Sequence, residues 1–183
     1  GCTFADNTAD QVMLQPGAMM GHDATLMAQP ALDAYVLESD FSVPSTVTLT
    51  VDPGVRVRGG LGGGRAELRI EGHLQALGTA TQPITFTSLS DTNPAQWAGL
   101  VFEGSAGGGT GHLRHATIKC GGIGNSVLYG MHSSDHSGSN ITVYKVMTGE
   151  VRLENVRIES EYHFDGWHHF GDHGLFVEDA QVT

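Results

Sequence analysis

Apolar and polar residues alternate in short runs along most of this chain. The run from Val47 to Val51 is an example, since threonines separate its three apolar residues. A period of two is typical of β-strands that bury one face, and Gly, Asn, Asp or Pro between the runs indicates turns. The strands predicted in this way are 47–51, 55–58, 68–70, 74–76, 84–86, 100–102, 113–118, 141–146, 151–158 and 175–182.

Two features favour a parallel β-helix over a sandwich or an ordinary barrel. No Asn-Gly or Asp-Gly pair joins two clean strands as a tight hairpin, because Asp165-Gly166 lies in a His-rich loop. One template also recurs, at 113–118 (LRHATI) and at 153–158 (LENVRI). Its middle residue turns the chain, and the flanking apolar residues then point into one narrow core. Stacked coils with a bend at a fixed position fill a β-helix in this manner.

Three stretches of the chain resemble the opening coils of a known family. They are Leu49 to Val57, Leu68 to Ser88 and Trp97 to Phe102. Together they resemble secreted right-handed parallel β-helix proteins of the pectate-lyase-like superfamily, with a good match over about residues 35–122. The resemblance implies an all-β, right-handed solenoid in an exported surface context. It leaves activity open, because this superfamily holds lyases, adhesins and plain scaffolds.

Composition and charge narrow the possible partners. Glycine contributes 26 of the 183 residues without a collagen-like period, as expected of a fold with many turns. Nine basic and 20 acidic residues give a net charge of −11, which argues against nucleic acid and anionic lipid as partners. No window of 18 apolar residues is present, so membrane insertion is not expected. We therefore expect an extracellular or cell-surface location.

The two ends of the chain fit together in sequence. When Gly1 is read after Thr183, the junction VTGCTF follows the same template as Leu153 to Ile158. This match predicts copies that stack head-to-tail, either as covalent repeats or as separate subunits. The predicted contacts between units are Cys2, Phe4, Ala180 and Val182.

The same hypothesis divides the chain into three parts. Residues 1–8 complete the β-helix of the preceding unit, residues 9–45 form a connector and cap rich in Met and Pro, and residues 46–183 form the β-helix. The two cysteines, Cys2 and Cys120, are candidates for one disulfide within or between units.

Histidines are concentrated near the end of the chain. Imidazoles close to carboxylates are the ligands of Zn²⁺ or Cu²⁺, although no standard metal-binding spacing occurs. Calcium would suit an acidic extracellular β-helix, but the Gly-Gly-x-Gly-x-Asp nonapeptide is absent. A divalent ion is therefore an optional cofactor that clips a loop, and no other cofactor is expected. The candidate ligands are His163, His168, His169 and His173.

Catalysis has few candidate residues. The resemblance implies that lyases of this fold use a basic Arg or Lys and bound cations, yet this chain has only Lys119 and Lys145 as lysines and no arginine that the sequence places among carboxylates. We predict a non-catalytic unit of a surface fibre, adhesin stalk or matrix filament. The alternative is a module that binds surface glycans or degrades polysaccharide, for which the candidate exposed aromatic residues are Trp97, Tyr162 and Trp167.

Overall fold

A computed structural model describes residues 10–15, 21–60, 66–92, 96–122, 138–159 and 174–183, together with the backbone at 163–164, 169–170 and 173. Within these residues the regular elements are strands only, and three parallel sheets form a right-handed β-helix. The fold class predicted from the alternating pattern and the family resemblance is therefore confirmed.

Sheet A contains six strands, and its order follows the chain. They are β1 (Gln11–Leu14), β3 (Ala34–Leu37), β6 (Arg56–Gly59), β9 (Ile84–Ser88), β12 (Ala116–Lys119) and β15 (Arg157–Glu159).

Sheets B and C contain five strands each. Sheet B consists of β2 (Ala24–Leu26), β5 (Thr48–Val51), β8 (His73–Leu77), β11 (Thr110–Arg114) and β14 (Val151–Glu154). Sheet C consists of β4 (Phe41–Val43), β7 (Glu67–Ile70), β10 (Gly99–Glu103), β13 (Ser139–Tyr144) and β18 (His173–Glu178). From β4 onward each coil therefore passes through sheet C, then sheet B, then sheet A.

The recurring template lies where a coil passes from sheet B to sheet A. Leu113 pairs with Leu153 in sheet B, and Ile118 pairs with Ile158 in sheet A. The residues between them, His115 and Asn155, have φ of 45° and 52°, which is the left-handed conformation that bends a strand sharply. The bend predicted from the sequence is thus present at both positions.

The strands extend further towards the N-terminus than the segment assigned to the β-helix. Residues 9–45 contain β1 to β4, and each of these pairs in parallel with a later strand of its sheet. A short antiparallel pair, β16 (His163–Phe164) and β17 (His169–Phe170), flanks Asp165-Gly166. Residues 1–8 lie outside the described part of the chain.

A single cluster of buried apolar residues fills the interior. Its largest member is Trp97, whose indole Nε1 donates a hydrogen bond to the carbonyl oxygen of Lys119 at 2.9 Å. Gly59 makes room for this ring, because a Cβ there would lie 2.9 Å from Cε3 of Trp97. The prediction that Trp97 is an exposed aromatic is wrong, since the side chain is fully buried.

Candidate functional site: the C-terminal end of the β-helix

The last strand of sheet C presents core residues to solvent. Leu175 and Val177 of β18 pair with Ile141 and Val143, which are completely buried. Leu175 and Val177 themselves are 37% and 42% exposed. These two side chains occupy core positions of the coil, but no further strand lies on them among the described residues. An interior that ends in exposed apolar side chains is the usual mark of a solenoid end that needs a cap or another coil.

The chain then returns to sheet B for one more short contact. Val182 forms a parallel bridge with Val151, and the amide of Leu153 donates to the carbonyl oxygen of Thr183 at 2.7 Å. Ala180 and Val182 are half-buried and pack against the core. Two of the four predicted contact residues therefore lie at this end of the β-helix. Cys2 and Phe4 lie outside the described residues.

The register at Val182 differs from the one that the template assumed. The template placed Val182 at the position of Leu153, whereas the structure pairs it with Val151. Suppose that Thr183 were joined directly to Gly1 of a following copy and that the pairing continued residue by residue. Gly1 would then stand beside Leu153, and Asp6 would stand beside Ile158. A carboxylate would then face the core, which is costly. The pairing at Val182 is therefore not the one that the template predicts.

The N-terminal end of the β-helix is more closed. Leu26 and Phe41 belong to the first strands of sheets B and C, yet they are only 7% and 8% exposed. Val43 is completely buried. The apolar interior is therefore much more accessible at the C-terminal end than at the N-terminal end.

Strand edges add polar groups to the C-terminal end. β15 is the last strand of sheet A and β18 is the last strand of sheet C in the described part of the chain. The outer edge of such a strand offers N–H and C=O groups to an incoming strand. Arg157 and Glu159 of β15 form an ion pair at 2.9 Å along the outward face of this strand, which therefore carries both signs of charge.

A second cluster of charged residues lies on sheet C. Arg69 lies 3.8 Å from a carboxylate oxygen of Glu67, 3.2 Å from one of Glu71 and 3.5 Å from one of Glu103. The alternation of Glu67, Arg69 and Glu71 with apolar residues was a sequence signal for most of this cluster, whereas Glu103 is on a strand of the neighbouring coil. Only the stacking of β10 on β7 brings them together.

The chemistry available to this cluster is limited by its charge state. Burial alone would raise the pKa of Glu103, but hydrogen bonds from Ser105 and the positive charge of Arg69 outweigh it and lower this pKa below its ordinary value. An ionised Glu103 cannot donate a proton as a general acid near neutral pH. Arg69 is at the same time held by three carboxylates, which opposes a role as a base.

The side chains of the four predicted metal ligands are not among those that the structure describes, so metal binding by them is not tested. His163 and His169 lie in β16 and β17, where His163 pairs with Phe170 and His169 with Phe164. His173 begins β18, and His168 lies outside the described residues. Within the described side chains no group of three His, Cys, Asp or Glu residues is arranged to hold a metal ion.

The remaining predicted site residues are partly covered by the structure. Cys120 follows β12, is half-buried and has no disulfide partner among the described residues. Its predicted partner Cys2 lies outside them, as do Tyr162 and Trp167. Of the three aromatic residues proposed for glycan binding, Trp97 is excluded by its burial.

Comparison with known proteins identifies the fold family. A family model described as a pectate-lyase like beta helix domain matches residues 18–155. No curated protein and no solved structure matches the chain. The described residues include no helix long and apolar enough to cross a membrane.

Proposed function

The chain belongs to the pectate-lyase-like β-helix family, and we propose that within this family it is a non-catalytic, extracellular structural unit. In this proposal copies stack head-to-tail into a surface fibre or matrix filament. The C-terminal end of one copy receives the N-terminal end of the next. Ala180 and Val182 contribute to the contact, and Cys2 and Phe4 remain predicted contributors from the other side.

The observation that carries the proposal is the exposure of Leu175 and Val177 at core positions. Covering a side chain of this size with apolar neighbours is worth about 1.5–3 kcal/mol when burial is complete. A further coil on β18 would gain part of this for both residues and would also pair the free strand edge. A head-to-tail contact between identical copies generates an open filament when the rotation from one copy to the next does not close into a ring.

Two further observations support a structural role. The net charge of −11 suits a soluble assembly outside the cell and opposes binding to nucleic acid. In the described part of the chain, the charged cluster around Arg69 combines an arginine with three carboxylates, one of which has a lowered pKa. An arginine whose charge is balanced by neighbouring carboxylates stabilises a sheet face more readily than it supports proton transfer.

Sedimentation velocity over a range of concentrations tests the stacking. The informative variant is Val177→Lys, which places a charge on the exposed core position. Met147→Lys is the matched control, because Met147 is 76% exposed in the turn between β13 and β14 and the change in charge is identical. We expect the wild type and Met147→Lys to form larger species as concentration rises, and Val177→Lys to remain monomeric with unchanged circular dichroism. A wild type that stays monomeric at every concentration would contradict the proposal.

Glycan binding at sheet C is a second candidate function. The cluster of Arg69 with Glu67, Glu71 and Glu103 is the specific observation that favours it, since charged side chains on one sheet face are able to bind sugar hydroxyl and carboxylate groups. A glycan array probed with the wild type and with Arg69→Gln tests this candidate. Binding that is lost in Arg69→Gln supports it, and an empty array rejects it.

A further inference from the structure

One column of inward-facing side chains runs through the whole of sheet A. Each member pairs with the next in the neighbouring strand, from β1 to β15. Both end members, Val12 and Ile158, are half-buried, whereas those between them are buried. The column consists of Val12, Tyr35, Val57, Phe86, Ile118 and Ile158.

A second column runs through sheet B in the same direction. Its first member, Ala24, is exposed, and its last member, Val182, is half-buried. The column consists of Ala24, Leu49, Leu74, Gly111, Val151 and Val182. Each column therefore ends, on both sides, in an apolar residue that is less buried than the members inside the column.

The two ends of the β-helix are stepped in ways that complement each other in sheets A and B. At the C-terminal end, the last coil contains β18 in sheet C and Val182 in sheet B, but sheet A stops one coil earlier at β15. At the N-terminal end, sheet A starts first, because β1 precedes β2 of sheet B and β4 of sheet C. In the described part of the chain, the last coil thus lacks a sheet A strand. The first coil begins with a sheet A strand, which is β1.

We propose that β1 of a second copy pairs in parallel with β15 and so continues sheet A across the junction between copies. This inference rests on the head-to-tail stacking proposed above and specifies its register. Val12 of the second copy lies beside Ile158, and Ala24 of the second copy lies beside Val182. Sheets A and B then continue through the junction, whereas in sheet C the described strands of the second copy begin with β4, one coil beyond the position next to β18.

The side chains of the two strands are compatible in this register. Val12 and Leu14 of β1 face inward, as Ile158 does, so apolar residues meet apolar residues. Gln11 and Met13 face outward beside Arg157 and Glu159, and both are uncharged, so no like charges are opposed.

In this register Val12 of β1 lies beside Ile158 of the other copy, which is the position that the sequence pattern gave to Phe4. Successive members of the sheet A column are far apart in sequence, with 23 residues from Val12 to Tyr35 and 22 from Tyr35 to Val57. Phe4 precedes Val12 by only eight residues, which is too few for one coil. The two cannot occupy successive sheet A positions, and β1 is the one already paired in sheet A.

Cysteine trapping distinguishes the two registers. In a background of Cys2→Ser and Cys120→Ser, the pair Gln11→Cys with Arg157→Cys tests the β1 register. The pair Thr3→Cys with Arg157→Cys tests the Phe4 register. Paired residues on adjacent parallel strands are about 4.8 Å apart, within the range that a disulfide spans. The single variants are the controls, since one cysteine per chain gives dimers at most.

Under mild oxidation we expect Gln11→Cys with Arg157→Cys to give a ladder of trimers and longer species on a non-reducing gel. We expect the Thr3→Cys pair to give no ladder. A ladder only from the Thr3→Cys pair would overturn the β1 register and leave head-to-tail stacking intact. Association in sedimentation without a ladder from either pair would also overturn this register, whereas a protein that is monomeric in sedimentation would reject the stacking itself.

Discussion

The indole Nε1 of Trp97 and the carbonyl oxygen of Lys119 form a hydrogen bond of 2.9 Å inside the β-helix. This bond satisfies the one polar atom of a ring that is otherwise surrounded by apolar side chains. Truncation by Trp97→Ala removes both the ring and the donor, so we expect a loss of about 3–5 kcal/mol in the free energy of unfolding. Urea unfolding, monitored by circular dichroism, measures this loss in the free energy of unfolding.

The surface variant Met147→Ala is the control for Trp97→Ala, and it should change the free energy of unfolding by no more than about 0.5 kcal/mol. Equal effects of the two substitutions would show that Trp97 is not a core residue.

The bend between sheets B and A carries a second prediction. His115 has φ of 45° and Asn155 has φ of 52°, and asparagine adopts this left-handed conformation more readily than most residues. Asn155→Val should therefore destabilise the fold by about 1–2 kcal/mol, because a β-branched side chain is strained there. His115→Asn should stabilise it slightly. Denaturant midpoints of the two variants provide the comparison, and a stabilising Asn155→Val would refute the account of the bend.

Much of the fold was predictable because its signal is local. Alternation from Val47 onward identified the later strands, and the template at 113–118 and 153–158 located the bends. Strands β1 to β4 were not predicted, because Met and Pro interrupt the alternation in residues 9–45. The register of Val182 was missed by two residues for a related reason. A pattern of period two places Val151 and Leu153 on the same face, so it does not distinguish between them.

The arrangement of side chains across coils was not predictable in the same way. Arg69 and Glu103 are 34 residues apart, and their contact depends on how many residues each turn between coils contains. The sequence around Trp97 does not show that its side chain is buried. Its burial depends on the space that Gly59 leaves in a neighbouring coil.

The outward face of sheet B should make stability depend on pH. Burial and the nearby positive charge of His112 lower the pKa of His73, whose Nδ1 lies 2.9 Å from Oγ1 of Thr110. The unfolded chain takes up this proton at a higher pH than the folded chain does. Stability is therefore fully present above about pH 6.5 and is lost as pH falls through the folded pKa.

Chemical unfolding at pH 7.5 and pH 5.5 measures this dependence for the wild type and for His73→Gln. We expect the loss of stability at pH 5.5 to be smaller in His73→Gln than in the wild type. His112→Gln should also reduce it, because the repelling charge is removed. An unchanged pH dependence in His73→Gln would assign the effect to other groups.

Metal binding remains a prediction of the sequence. If His163, His168, His169 and His173 hold Zn²⁺ or Cu²⁺, the protein should retain about one ion per chain after gel filtration, as measured by elemental analysis. Replacing all four histidines by alanine should abolish this retention. Retention that survives the substitution would place the ion elsewhere, and none in the wild type would reject the site.

The length of the repeat in an assembled fibre tests the central claim most directly. In the described part of the chain sheet A contributes six strands per copy, and strands about 4.8 Å apart give an axial advance of about 29 Å. Electron microscopy of concentrated protein should show fibres whose power spectrum contains this repeat, and Val177→Lys should abolish the fibres. Dispersed single particles at high concentration, or fibres that repeat every two copies because like ends meet, would contradict head-to-tail stacking through the C-terminal end.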